Sequence, residues 1–374
     1  MGSFLLEPRV LSTIAELEPL RERWETLRKK CNASVFMSFD WVRLWLRHFE
    51  SVASPRIVVL ERNSEIEAIA PFVLVVRSSM GIKIKRLMFL GNSSGAAEAY
   101  DLGVMCIGEE RKIVDGIMEA LREIDWNLMQ LLDMRDESFR NALCERVETE
   151  WQIDRPVRTS CPFVNIPASG DIVALAQSRT RRKMKRITST LEGEGRLHYR
   201  LGRSPEEVIE AMKIYIRHHR ERWESKGGSI FSDDKLASFM LDIGRELSEK
   251  GIAEMHEVLI DGEVASQAFC IRDGDWMRAY RIGINNNFMD FSPGYLVAYV
   301  AMRDAQKRGF KVFDWGKGEE EFKYLMGAED RYLFGIEAKR GQLALISKIA
   351  SLPGIRTVVE KTGVKESTLK DMYK

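Results

Sequence analysis

The residues with the types and spacing to do chemistry gather in one stretch, Met277 to Lys323. Asp314 ends an apolar run and precedes Trp315-Gly316-Lys317-Gly318. A carboxylate at a strand's carboxyl end can take a proton from an attacking group, directly or through water, or it can cap the following turn. Lys323 follows that Gly-rich turn, where an ammonium either stabilises a developing oxyanion or sits on a solvated helix beside Glu319 to Glu321. Ser292-Pro293-Gly294 opens a helix whose first N–H groups and dipole can receive an anion or a carbonyl. A capping Ser with Pro at the first helical position explains the same residues structurally. Tyr280, Tyr295 and Tyr299 bracket the loop, and Tyr295 is nearest the helix start.

Two further candidates and one charge cluster lie upstream. His219 is one turn before Trp223 on an apolar helical face, where an imidazole acts as base, phosphate ligand or packed core group. Asp101 follows Tyr100, and its carboxylate activates an acceptor or simply braces the loop Gly91 to Ala99. Arg179, Arg182, Lys183 and Arg186 share a helical face, and no Asp or Glu interrupts Arg179 to Leu191. That uncompensated charge favours phosphate binding over a solvated face: a nucleotide-sugar, a lipid carrier, coenzyme A or a tRNA end. The chain has no H-E-x-x-H, no grouped Cys and His for a metal, no G-x-S-x-G elbow and no G-x-x-x-x-G-K-[ST] loop. Metal-dependent and ATP hydrolysis are therefore poor readings.

The elements that must position these residues belong to a chain of 374 residues, long enough for two domains. Lys and Arg total 57 against 56 Asp and Glu, so any polyanionic partner must be met by a local patch. Five scattered cysteines, Cys31, Cys106, Cys144, Cys161 and Cys270, fit a reducing, cytoplasmic setting. The first twenty residues lack the basic and apolar regions of a signal peptide, and no run reaches the length of a membrane span.

Period and punctuation predict helices over 14–30 and from Ser38 to Phe49, strands over Arg56–Glu61, Glu65–Val76 and Ile82–Leu90, a helix over Glu110–Ile124 and a strand over Trp126–Leu132. The prolines between Trp151 and Pro167 mark a boundary. A basic helix (Ser178–Leu191) follows, then a helix started by the capping box Ser204-Pro205-Glu206-Glu207, another ending at Lys250, and strands joined by Asp261-Gly262 and Asp273-Gly274. The two halves repeat one order, helices, three-stranded meander, loop, helix and a strand bearing Asp-Trp, so the chain is two copies of an α+β unit. The expected domains are 1–158, 159–342 and a helical tail over 343–374 broken at Pro353-Gly354, with Tyr332–Lys339 closing the second sheet.

The residues themselves resemble the acetyltransferase-like proteins associated with cellulose and exopolysaccharide biosynthesis, within the GNAT superfamily and related to the Fem peptidyltransferases. Phe36-Met-Ser-Phe-Asp-Trp41, Ile69-Ala-Pro71, Phe89-Leu-Gly91, Tyr100-Asp101, Arg182-Lys-Met-Lys-Arg186, His219-Arg-Glu-Arg-Trp223, Ser292-Pro-Gly294, Phe313-Asp-Trp-Gly316 and Phe322-Lys323 match in family order up to about Arg340. The resemblance implies tandem GNAT-like folds, each a mixed, mainly antiparallel sheet flanked by helices, and acyl transfer to an amine or hydroxyl. It implies acetyl-coenzyme A or another acyl-coenzyme A as donor, no metal, and a sugar or sugar-nucleotide precursor of a surface polysaccharide as acceptor. Ser292, Gly294 and Tyr295 would hold the donor, Arg179, Arg182, Lys183 and Arg186 would bind substrate, and Asp314, Lys323, Asp101 and His219 would be catalytic. The family's aromatic-Lys pair gives Lys323 its donor-end role, and Fem-like enzymes place an acceptor-activating Asp in a setting like that of Asp101. The loop Asn285 to Tyr295 departs from the Q/R-x-x-G-x-G/A phosphate loop in holding one Gly. That departure keeps two alternatives open: a Fem-like transfer from aminoacyl-tRNA, and a catalytically silent binding module of a polysaccharide pathway.

Overall fold

The computed structural model describes residues 6–79, 82–92, 97–154, 157–224 and 227–350. They form two compact units, Met1–Arg158 with Leu333–Lys374, and Thr159–Tyr332.

The first unit begins with β1 (Glu7–Leu11), which pairs antiparallel with β2 (Ser54–Arg62). Between them, α1 (Ile14–Leu17) is held by a capping box in which Thr13 and Glu16 satisfy each other's end groups, and α2 (Arg21–Lys30) follows a 3-10 turn. In α3 (Phe39–Phe49) Trp41, Leu44, Trp45 and Phe49 are all buried, so the aromatic stripe is core. With β2, β3 (Glu65–Ser79) and β4 (Ile82–Phe89) make an antiparallel meander, and β5 (Met105–Cys106) pairs with β3. After α4 (Glu110–Glu123), β6 (Leu128–Met134) joins β4 in parallel over Arg86↔Leu128, Leu87↔Met129 and Met88↔Gln130. The Asp136-capped helix α5 (Glu137–Glu148) leads to β7 (Gln152–Ile153) and β8 (Val157–Ser160).

The second unit repeats this plan. It contains β9 (Phe163–Asn165), α6 (Ser178–Gly193), β10 (Leu197–Gly202), α7 (Pro205–Trp223) and α8 (Asp234–Glu249). The meander is β11 (Ala253–Ile260), β12 (Glu263–Asp273) and β13 (Trp276–Ile284), followed by α9 (Pro293–Lys307), β14 (Val312–Asp314) and α10 (Glu321–Leu325). Strand order is β10-β11-β12-β13-β14-β9, antiparallel throughout except for β13 and β14. Both residues of the Asp261-Gly262 turn take positive φ, 54° and 80°, as a two-residue hairpin turn requires. One apolar core joins α6, α9 and the sheet through Met184, Leu296, Val297, Ala301, Val258 and Met277.

The last strand corrects the sequence expectation. β15 (Tyr332–Lys339) pairs antiparallel with β6 of the first sheet, from Phe334↔Met134 to Lys339↔Leu128, and does not close the second. The reason is occupancy: the edge of β14 that it would have filled is already covered by β9. Residues from Leu333 therefore belong with the first unit, although they were expected to end the second domain. β7 pairs with the other side of β15, and α11 (Gln342–Ala350) follows. The expected break at Pro353-Gly354 lies outside the described residues.

Candidate functional site

In the second unit β13 and β14 are paired in parallel over Trp276↔Val312, Met277↔Phe313 and Arg278↔Asp314. Beyond that β14 ends while β13 runs on to Ile284. The register against β12 shifts at the same place, where Phe269 faces Arg281 and Cys270 faces Ala279, leaving Tyr280 as the extra residue of a bulge. A bulge bends its strand and re-aims side chains. Two parallel strands that part here leave backbone groups without a strand partner beside the start of the next helix.

That helix, α9, starts without a side-chain cap. Ser292 occupies the N-cap position in the left-handed region, φ 52° and ψ 54°, and its side chain makes no capping hydrogen bond. The capping role that the sequence allowed Ser292 is thus unfilled, although Pro293 does take the first helical position. A non-Gly residue held at positive φ carries a strain of order 1–3 kcal/mol, and such strain concentrates where ligands bind. Gly294 has a packing reason as well: a Cβ there would meet Ile284 Cδ1 at 3.0 Å.

Against this helix start lies a cleft of about 420 Å³. Ser292 and Tyr295 line it from α9, Arg179, Thr180 and Lys183 from α6, and Glu321 from α10. The structure therefore gathers two of the expected donor-binding residues and two of the expected phosphate-binding residues in one place. Arg182 and Arg186 are exposed on α6 outside its lining. Burial, and then the charge of Glu321, push the Tyr295 phenol upward, so it stays a proton donor at neutral pH.

Asp314 and Lys323 are placed otherwise. Both are buried, Asp314 to 0% and Lys323 to 3% exposure. The Asp314 carboxylate takes hydrogen bonds from Arg278 at 2.5 Å, Arg331 at 3.1 Å and the Gly316 N–H at 2.9 Å. Lys323 Nζ donates to the carbonyls of Lys317 at 2.6 Å, Gly318 at 3.0 Å and Gly316 at 3.3 Å, and pairs with Glu320 at 2.7 Å. A carboxylate and an ammonium engaged in this way brace the Gly316–Gly318 turn. In this arrangement Asp314 and Lys323, expected as catalytic groups, are both engaged in holding that turn.

His219 is half-buried on α7 among Tyr215, Trp223 and Phe231, stacked on Trp223 at 5.9 Å. Ser229 Oγ accepts from the Phe231 N–H and lies 2.7 Å from His219 Nδ1, with which it shares a hydrogen bond. Burial, then the nearby cations Arg281 and Arg222, lower its pKa to about 4. It is neutral at pH 7, and its Nδ1 is already engaged by Ser229. In the first unit, Asp101 at φ 61° receives a two-pronged hydrogen bond from Arg135, at 3.0 and 2.6 Å, on the edge of a small cleft of about 170 Å³.

Sequence reasoning missed several residues here. Trp315, next after Asp314, is 4% exposed, and its indole N–H has no hydrogen-bond partner among the described residues. Tyr215 packs so closely over Gly283 of β13 that a Cβ there would lie 2.5 Å from the ring. Neither contact has a local signature, because each joins residues far apart in the chain.

Residues 178–324 match the family described as the acetyltransferase (GNAT) domain. Among solved structures the chain is similar to FemX, with 11% identity, a TM-score of 0.57, and coverage of 90% of this chain and 98% of that one. A conserved protein of unknown function from Bacteroides thetaiotaomicron gives 10% identity and a TM-score of 0.56, covering 90% of this chain and all of the other. At these identities the likeness shows the fold: an α+β protein with two mixed sheets. No curated protein matches the sequence.

Proposed function

We propose that the second unit is an acyltransferase domain that takes an acyl-coenzyme A as donor and passes its acyl group to an amine or hydroxyl of a sugar or sugar-nucleotide precursor of a surface polysaccharide. The observation that carries the donor half is the cleft in which Arg179 and Lys183 face Ser292, Tyr295 and the uncapped start of α9. Two cations at the positive end of the α9 dipole suit a diphosphate, and the bulged, parting strands β13 and β14 leave room for a thioester beside it. The acceptor's nitrogen or oxygen attacks the thioester carbonyl, its proton passes to water in the open cleft, the C–S bond breaks and the thiolate leaves. Tyr295, protonated and at the cleft, can return a proton to that sulfur. Asp314 and Lys323 hold the turn after β14 in shape rather than touch substrate. The match of residues 178–324 to a GNAT domain supports the reaction class, and the polysaccharide acceptor rests on the sequence resemblance.

Isothermal titration with acetyl-coenzyme A, followed by assay of thiol release over a panel of amino sugars, tests both halves. Absence of any acyl-coenzyme A binding would end the donor assignment. Binding without turnover would leave a silent binding module.

A second reading has its own support. Arg182 and Arg186 carry the basic strip of α6 beyond the cleft, which favours a longer polyanion such as the acceptor end of a charged tRNA. It predicts tRNA binding that weakens steeply with salt; affinity that ignores salt would count against it.

A further inference from the structure

The groove between α6 and α9 does not end at the donor cleft. On the far side of Met184, which lines both, a second cleft of about 620 Å³ is bounded by Thr188, Ser189 and Glu192 of α6, by Asp171 and Lys185, and by the ring of Tyr299. Tyr299 is one helical turn past Tyr295, about 6 Å along the axis of α9, roughly the span of a ribose between a diphosphate and its base. Its ring and that of Tyr199 share the guanidinium of Arg303, at 5.3 and 5.5 Å, which holds Tyr299 in place. Lys185 is neutralised by Asp171 at 3.2 Å. The first cleft therefore supplies positive charge, and the second supplies an aromatic face, hydroxyls and carboxylate acceptors.

Resting on the acyl-coenzyme A reading, we infer that this second cleft is the seat of the donor's purine base: the diphosphate lies at the start of α9, the ribose crosses Met184, and the base stacks on Tyr299. Its exocyclic amine donates to Glu192, and Thr188 and Ser189 offer hydroxyls to its ring nitrogens. A tRNA end does not fit the same pair of clefts, because it has no diphosphate between its terminal base and the rest of the chain. The α6–α9 groove thus distinguishes a pyrophosphate-bridged nucleotide donor from a polynucleotide one.

The test titrates the full-length protein with coenzyme A, ADP and 4′-phosphopantetheine, in the wild type and in Tyr299→Ala, Tyr299→Phe and Ser189→Trp. Ser189 is exposed, so the last substitution fills the groove without entering the core. Loss of a base-aromatic stack should weaken coenzyme A and ADP roughly tenfold in Tyr299→Ala. Ser189→Trp should do at least as much, Tyr299→Phe should bind as the wild type, and 4′-phosphopantetheine should change by less than about twofold in all three. Coenzyme A binding that is unchanged in both Tyr299→Ala and Ser189→Trp overturns this inference and leaves the acyl-coenzyme A reading standing. Equal weakening of 4′-phosphopantetheine also overturns it, since that ligand has no base. If ADP binds in a Tyr299-dependent way and coenzyme A does not bind, the groove assignment holds and the donor reading falls. No binding of either removes both.

Discussion

Lys183 and Lys323 show how two lysines that look alike in sequence part company in structure. Lys183 lines a cleft, whereas Lys323 is 3% exposed and shared among three backbone carbonyls. Lys323→Met should therefore lower stability by about 1–3 kcal/mol through unsatisfied buried carbonyls, measured by urea unfolding. Asp314→Asn should cost about 3–5 kcal/mol, because Arg278 and Arg331 lose a buried counter-charge. Were Asp314 a proton acceptor instead, the variant would fold normally and lose only turnover. Trp315 gives a sharper contrast: Trp315→Phe keeps the ring packing against Phe313 and Phe322 and deletes the orphan donor. If the N–H meets a ligand, calorimetry will show several-fold weaker binding with stability unchanged or raised. The residue types of this site were legible in the sequence. Which of them face a ligand was not, because burial at Asp314 and Lys323 is set by Arg278, Arg331 and the Gly316–Gly318 carbonyls folding over them.

At the scale of elements, the meander, α9 and the capping box at Ser204 could be read from period and turn chemistry, since their signals are local. The pattern does not mark β1, α5, β7, β8, β9, β10 or α10, and the strands among them are short runs punctuated by charge or proline. The Tyr280 bulge was equally hidden, because a bulge is a mismatch between two strands and neither strand shows it alone. Gly283 makes the dependence on tertiary packing measurable. Its backbone passes under Tyr215, and Gly283→Ala should cost about 1–3 kcal/mol by forcing the ring aside, read as a lowered Tm. The same change at Gly262, where a Cβ meets nothing within 4 Å, should cost only what its positive φ demands.

For the whole molecule, the repeat of one plan was visible in the sequence and the crossing of β15 to the first sheet was not. Pattern alone cannot say which of two open edges a strand joins, and β9, a three-residue strand among prolines, decided it. Titration is also a property of the whole chain. His219, at about 4 rather than its ordinary 6.5, favours the folded state above pH 6.5 and loses that contribution as pH falls toward 4. Burial raises Glu254, but hydrogen bonds from His256 and Arg308 outweigh it and hold the carboxyl at about 2, so its contribution is lost below its ordinary 4.5. Stability should therefore decline in two stages on acidification, and His219→Gln should flatten the upper one by about 1 kcal/mol once solvent screening is allowed for. The central claim, a donor cleft for a phosphorylated acyl carrier in the second unit, is tested most directly by calorimetric titration of coenzyme A into the wild type and Lys183→Glu. The account predicts saturable binding weakened at least about tenfold by the charge reversal; equal affinity in the two proteins, or none in the wild type, would contradict it.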